Sequence, residues 1–196
     1  MFLEALNFTM AHTGFSPRLI EKDYFCTVLL QYLATTGVLV FKGGTCLAKV
    51  HAEFYRLSED LDFVIPMPCD ATRAERRRQA EGLKKTVADL ATKLEGFAVV
   101  EPLTGANVST QYVSVIGYDS LLSGQQEGIK IEIGLREPLL TPVFDGAAKT
   151  ALLDPVSGQP MVNPLALPCI SRVEAFAEKF RAALSRREVA IRDFYD

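Results

Sequence analysis

Apolar residues recur along this chain first at helical and then at alternating spacing. Ser16-Pro17 reads as a helix start, with Ser16 as N-cap and Pro17 at the first helical position. The helix runs through Leu19 to Leu30, and Gly37 closes the helical region. The apolar run Val38-Leu39-Val40-Phe41 predicts a strand, and Thr45 to about Phe54 a short helix. Leu61, Phe63 and Ile65 alternate with polar positions, which predicts a second strand with one buried face. Pro66 and Pro68 break the chain. From Ala71 to Glu95, Leu83, Val87, Leu90 and Leu94 recur at helical intervals. Three more strands follow: Phe97 to Val100, Tyr112 to Tyr118, and Ile129 to Leu135. In the last of them Ile129, Ile131, Ile133 and Leu135 oppose Lys130 and Glu132.

A proline-rich connection (Pro155, Pro160, Pro164, Pro168) leads to a final helix from Ser171 to about Ser185. Its expected buried stripe is Val173, Phe176, Ala177, Phe180 and Leu184. Arg172, Lys179 and Arg186 fall on one line beside that stripe. The segment Ile191 to Asp196 reads like the start of another helix, so the C-terminal helical part is expected to be short or truncated. The pattern predicts an α+β fold with a mixed sheet flanked by helices. Its expected division is a core with an N-terminal helix over residues 1–150, and a helical segment over 151–196 packing on it.

Composition narrows the function classes only a little. At 196 residues, with 48% hydrophobic positions, the chain can bury one proper core. A net charge of -3 leaves only a local basic patch as a route to nucleic acid. No segment resembles a signal peptide, and no apolar run approaches the roughly 20 residues that span a bilayer. A cytoplasmic protein without a membrane partner is expected. Cys26, Cys46, Cys69 and Cys169 show no metal-ligand spacing and read as reduced core thiols. His12 and His51 are too few for a zinc site or a catalytic triad.

The chemistry is concentrated in two short segments. Gly43 and Gly44 lack a Cβ, so backbone there can approach a phosphate closely. Thr45 is expected to cap the following helix, whose N-terminus favours an anion. Asp60 and Asp62 stand two residues apart, so in a strand both point to one face and offer oxygen ligands to magnesium. Glu132, on the polar side of its strand, is the candidate third carboxylate. Lys179, mid-row on the last helix, is the candidate triphosphate ligand. Arg73, Arg76, Arg77, Arg78, Lys84 and Lys85 read either as a solvated helix face or as a contact surface for RNA phosphates.

In order, these residues resemble the AbiEii/AbiGii-type nucleotidyltransferase toxin family, which includes the MenT toxins. The matching segments are Glu21-Lys22-Asp23-Tyr24, Lys42-Gly43-Gly44-Thr45 with Leu47, and Arg56-x-Ser58-x-Asp60-x-Asp62. Lys130-Ile131-Glu132-Ile133, Glu178-Lys179-Phe180 and Arg192-Asp193-Phe194-Tyr195-Asp196 complete the series. The resemblance implies a DNA polymerase β-like nucleotidyltransferase fold and a toxin of a bacterial toxin–antitoxin or abortive-infection system. It implies transfer of a nucleotide from NTP to RNA, with the tRNA 3′ end as acceptor and a cognate antitoxin as partner. Carried over by motif, Asp60, Asp62 and Glu132 would bind metal, two magnesium ions in all. Gly43, Gly44, Thr45, Arg56, Ser58 and Lys179 would hold the nucleotide. Lys179 and Asp193 match the family's later active-site Lys and Asp. Two alternatives stay open: an acceptor hydroxyl on a protein or small molecule, and a non-catalytic nucleotide-binding member.

Overall fold

Alternation along the strands decides how the two faces of a single sheet are covered. The computed structural model describes residues 1–135 and 138–185. Two helices open the chain, α1 (Phe2–Thr13) and α2 (Pro17–Ala34). At the start of α2 the Ser16 hydroxyl oxygen accepts the Leu19 N–H at 3.3 Å, with Pro17 in the first turn. Strand β1 (Val40–Lys42) runs into α3 (Gly43–Cys46) and a π-helical turn (Leu47–His51). Strand β2 (Leu61–Val64), helices α4 (Arg73–Ala88) and α5 (Leu90–Lys93), and strands β3 (Phe97–Ala106), β4 (Gln111–Asp119) and β5 (Gln126–Gly134) follow. Strands β6 (Phe144–Ala148) and β7 (Leu165–Cys169) and helix α6 (Arg172–Ser185) complete the described chain.

The seven strands lie in the order β3-β4-β5-β2-β1-β7-β6. β2 runs parallel to β5 and β1 parallel to β7, while the other neighbours are antiparallel. The sheet is therefore mixed. Phe41, Leu61, Phe63, Ile129, Ile131 and Ile133 point to the face covered by α2 and α4, where Cys26, Leu29, Leu30, Ala80, Leu83 and Val87 pack against them. Val40 and Val64, one residue out of phase, point to the opposite face and meet Ala175 and Phe176 of α6. Lys42, Asp62 and Glu132 share that second phase, so the polar site lies on the α6 side.

Three expectations change. The proline-rich connection contains β7, paired to β1 and β6, so the segment after residue 150 adds a strand to the common sheet as well as a helix. Proline tolerates a strand position whose N–H is not needed, and Pro168 occupies one beside Asp145. Helix α6 is rotated away from its expected stripe: Val173 is 74% exposed, Phe180 68% and Leu184 86%, while Glu174 and Ala175 are buried. Glu174 causes the rotation, since its carboxylate accepts the Leu140 and Thr141 N–H groups at 3.0 Å each and the Thr141 hydroxyl at 2.6 Å. Of the cysteines, Cys26, Cys46 and Cys169 are buried free thiols, but Cys69 is exposed. Among the described residues, no helix is long and apolar enough to cross a membrane.

Candidate active site

Register brings the first polar group together. Lys42 of β1 stands directly across from Asp62 of β2, and Asp62 directly across from Glu132 of β5. Asp60 lies just outside β2 and is exposed, whereas Asp62 is half-buried. Burial raises the Asp62 carboxyl from its ordinary 3.8 to about 6. The nearby charges of Glu132 and Asp60 push in the same direction, and Lys42 and Lys179 pull against them. Glu132 is ion-paired with Lys130 two residues away on the same face, and its carboxylate also accepts the Gln111 side-chain N–H at 3.4 Å.

The glycine turn closes over these acids. Gly43 has φ +77°, a conformation that glycine adopts without strain, and a Cβ there would stand 2.7 Å from the Asp62 Cβ. Gly44 leaves open a more instructive space. A Cβ on it would lie 2.8 Å from Arg56 Nη2, 3.3 Å from Ser58 Oγ and 3.5 Å from Lys179 Nζ. Two cations and a hydroxyl, from two distant parts of the sequence, thus converge on one backbone position that has no side chain. This arrangement suits an anion with several oxygens, such as a phosphate.

Local backbone explains how Arg56 and Ser58 arrive there. Just past the π-helical turn, Glu53 and Phe54 hold φ +45° and +58° in succession. Such conformations are costly for residues with a Cβ, and they swing the chain back over the glycine turn. The Phe54 N–H donates to the Ala48 carbonyl at 3.0 Å, and the Lys49 ammonium lies 5.6 Å from the Phe54 ring centre. Thr45 does not cap α3, as was expected; it is buried, and its hydroxyl donates to the Asp60 carbonyl. The phosphate turn and the acid segment are tied directly by that bond.

Not every candidate converges. Arg172 is exposed, and Asp193 and Arg186 lie outside the described residues. Lys42 and Glu178 carried no role in the sequence reading, yet they form an ion pair at 2.5 Å that fixes α6 beside Asp62. The signal for Lys42 was its alternation with buried Phe41. A cavity of about 280 Å³ adjoins the acids, lined by Lys42, Asp62, Gln111, Glu132, Leu139 and Arg181 among others.

Among the described residues, no group of three or more His, Cys, Asp or Glu side chains is arranged to hold a metal ion. The donor chemistry nevertheless fits a hard cation: Asp60 and Asp62 supply carboxylate oxygens, and Asp62, raised first by burial and then by the charges of Glu132 and Asp60, is a carboxylate whose ionised form a bound cation would stabilise. Glu132 is the partial misfit, because Lys130 already occupies its carboxylate.

A family profile described as "Nucleotidyl transferase AbiEii toxin, Type IV TA system" matches residues 31–196. No curated protein sequence matches the chain. The structure of JHP933 from Helicobacter pylori is similar, with a TM-score of 0.58 and 17% identity over 92% of this chain and 65% of that one. A second H. pylori protein, proposed to be a nucleotidyltransferase, gives a TM-score of 0.57 and 17% identity over 93% of this chain and 67% of that one. At such identity the likeness concerns the fold, and the chain spans about two thirds of the length of both.

Proposed function

The chain belongs to the AbiEii nucleotidyl transferase toxin family, and from that premise we propose that it moves a nucleoside monophosphate from an NTP to an RNA hydroxyl, with the tRNA 3′ end as acceptor. It would act as the toxin of a bacterial toxin–antitoxin system, in the cytoplasm, opposed by a cognate antitoxin. One observation carries the reading: Arg56, Ser58 and Lys179 ring the bare backbone at Gly44, beside Asp62.

In this reading Arg56 and Lys179 neutralise the triphosphate, and Ser58 donates a hydrogen bond to it. Gly43 and Gly44 allow the phosphate to reach the backbone, where a side chain would exclude it. Asp60 and Asp62 would hold magnesium, with Glu132 beside them. Bound magnesium would supply charge neutralisation at the reacting phosphate and make the acceptor hydroxyl more acidic. The acceptor oxygen bonds to the α-phosphorus as the bond to pyrophosphate breaks, and Glu132 would help to take the hydroxyl proton. The residues contribute mainly position and fixed charge.

One observation favours a second acceptor class. The α4 arginines stand on the α2 face of the sheet, opposite Asp62, so they do not continue the basic row of α6. An RNA following that row would not meet Arg73, Arg77 or Arg78 without rounding the sheet edge. A protein or small-molecule hydroxyl would need no such surface. Incubation with magnesium, each α-labelled NTP, and either total RNA or protein extract separates the two. Label in a tRNA-sized band supports the RNA reading, label in protein or in a small product replaces it, and binding without transfer leaves a nucleotide-binding role.

A further inference from the structure

Three consecutive charged residues of α2, Glu21, Lys22 and Asp23, are buried at 0%, 7% and 2% exposure. Burying one charge is costly and burying three in a row demands compensation. Successive helical residues point about 100° apart, so each side chain reaches a different segment. Glu21 accepts the Ser120 hydroxyl at 2.7 Å and the Leu121 and Leu122 N–H groups at 2.7 and 3.1 Å, which holds the turn between β4 and β5. Asp23 pairs with the fully buried Lys49 at 2.6 Å and accepts the Ala151 N–H at 2.8 Å, which anchors the π-helical turn behind the glycines. Lys22 reaches forward instead and donates to Glu59 Oε2 at 3.0 Å.

Glu59 immediately precedes Asp60. The segment from Leu57 to Asp60 has no regular secondary structure, so its ladder cannot set its position. It is gripped from two sides: by Lys22 at the Glu59 side chain, and by the buried Thr45 hydroxyl at the Asp60 carbonyl. Cys26, one turn along α2 from Lys22, adds a weak contact from its thiol to the Glu59 carbonyl at 3.8 Å. The three atoms nearest the Gly44 space belong to Arg56, Ser58 and Lys179, and Lys22 acts on the site through its pair with Glu59.

We propose that Lys22 is a positioning residue for nucleotidyl transfer: through Glu59 it fixes the segment that carries Asp60 against the glycine turn. The inference rests on the function proposed above, and it concerns how the acids are presented, not which groups react. A displacement of about 1 Å at the reacting centre can cost roughly a hundredfold in rate. Loosening Glu59 and Asp60 therefore lowers turnover, while Gly44, Arg56 and Lys179, which lie outside the segment, still hold the nucleotide.

Lys22→Met keeps the apolar stem and removes the charge, and Glu59→Gln weakens the pair from its half-exposed partner, so a folded variant is available from either side. Unfolding midpoint, kcat and KM for NTP, and hydrogen exchange at the amides of residues 57–60 are measured on each. The expected result is a midpoint near wild type, kcat down roughly ten- to a hundredfold, KM within about threefold, and exchange at residues 57–60 faster by about tenfold. Lys22→Arg restores most of the turnover. Unchanged kcat in folded Lys22→Met, or unchanged exchange at residues 57–60, overturns the proposal. If the wild-type protein itself transfers no nucleotide, the proposed function fails, and the exchange measurement alone judges whether Lys22 orders the acid segment.

Discussion

Gly44 is the position where a single methyl group separates binding from folding. A Cβ there meets the far ends of Arg56, Ser58 and Lys179, which can move aside, so Gly44→Ala folds with an unfolding midpoint close to wild type. The methyl group occupies the phosphate space, and NTP affinity measured by titration calorimetry falls at least about tenfold, or roughly 1.4 kcal/mol. Gly43→Ala behaves differently, because it combines φ +77° with a clash against Asp62, and it destabilises the fold by about 1–3 kcal/mol. Asp62 gives a pH-dependent test. Its folded pKa of about 6 lies above the ordinary 3.8, so the folded chain binds the proton more tightly than the unfolded chain does. Ionised Asp62 therefore costs stability above about pH 6, and the cost is relieved as pH falls from there through 3.8. Asp62→Asn is expected to be more stable than wild type at pH 7.5 by up to about 3 kcal/mol in urea unfolding. The gap closes below about pH 4, and magnesium raises the midpoint of the wild type only. The glycines, Asp60, Asp62 and Lys179 were legible as candidates because spacing and residue type nominate them, and Arg56 and Ser58 because they match the family's motif. Lys42, Glu178 and Gln111 were not, since their neighbourhood depends on strand register and on the rotation of α6.

Helix α6 shows how a polar anchor can overrule an apolar stripe. Its spacing favours burying Val173, Phe176, Ala177, Phe180 and Leu184, yet Glu174 tied to Leu140 and Thr141, and Glu178 paired with Lys42, turn all of that stripe but Phe176 outward. The consequence is measurable: Phe180→Ala changes stability by less than about 1 kcal/mol, whereas Phe41→Ala, from the closed core, costs about 3–5 kcal/mol. Urea unfolding of the two variants side by side decides between the observed rotation and the one periodicity favours. Other elements were read more easily. The Ser16 cap, the helix ending near Gly37 and the alternation of β5 all follow from local rules, and tertiary contacts leave them intact. Strand β1 begins two positions later and ends one position later than the apolar run suggests, which places Lys42 inside the ladder. β7 was hidden because four prolines signal a loop more strongly than Leu165-Ala166-Leu167 signals a strand.

At the scale of the molecule, the mixed sheet puts two halves of a site on one face and packs the larger core on the other. The glycine turn arrives from β1, the acids from β2 and β5, and Lys179 from α6, so the parts meet only when the sheet closes around its central strands. That mixed sheet was legible from alternation and from the order of motifs. Which helix covers which face was not, because both α4 and α6 carry an apolar stripe and a basic row. Their opposite placement yields a further expectation: Arg73→Ser, Arg77→Ser and Arg78→Ser together leave NTP affinity unchanged in calorimetry, and a fall would show that α4 reaches the nucleotide. The reaction class itself is tested most directly by labelling one NTP in two places. Nucleotidyl transfer predicts that α-label enters the acceptor while γ-label leaves only as pyrophosphate, and that Asp62→Asn abolishes both. Transfer of the γ-label to a product, or full activity without the Asp62 carboxylate, would contradict the assignment.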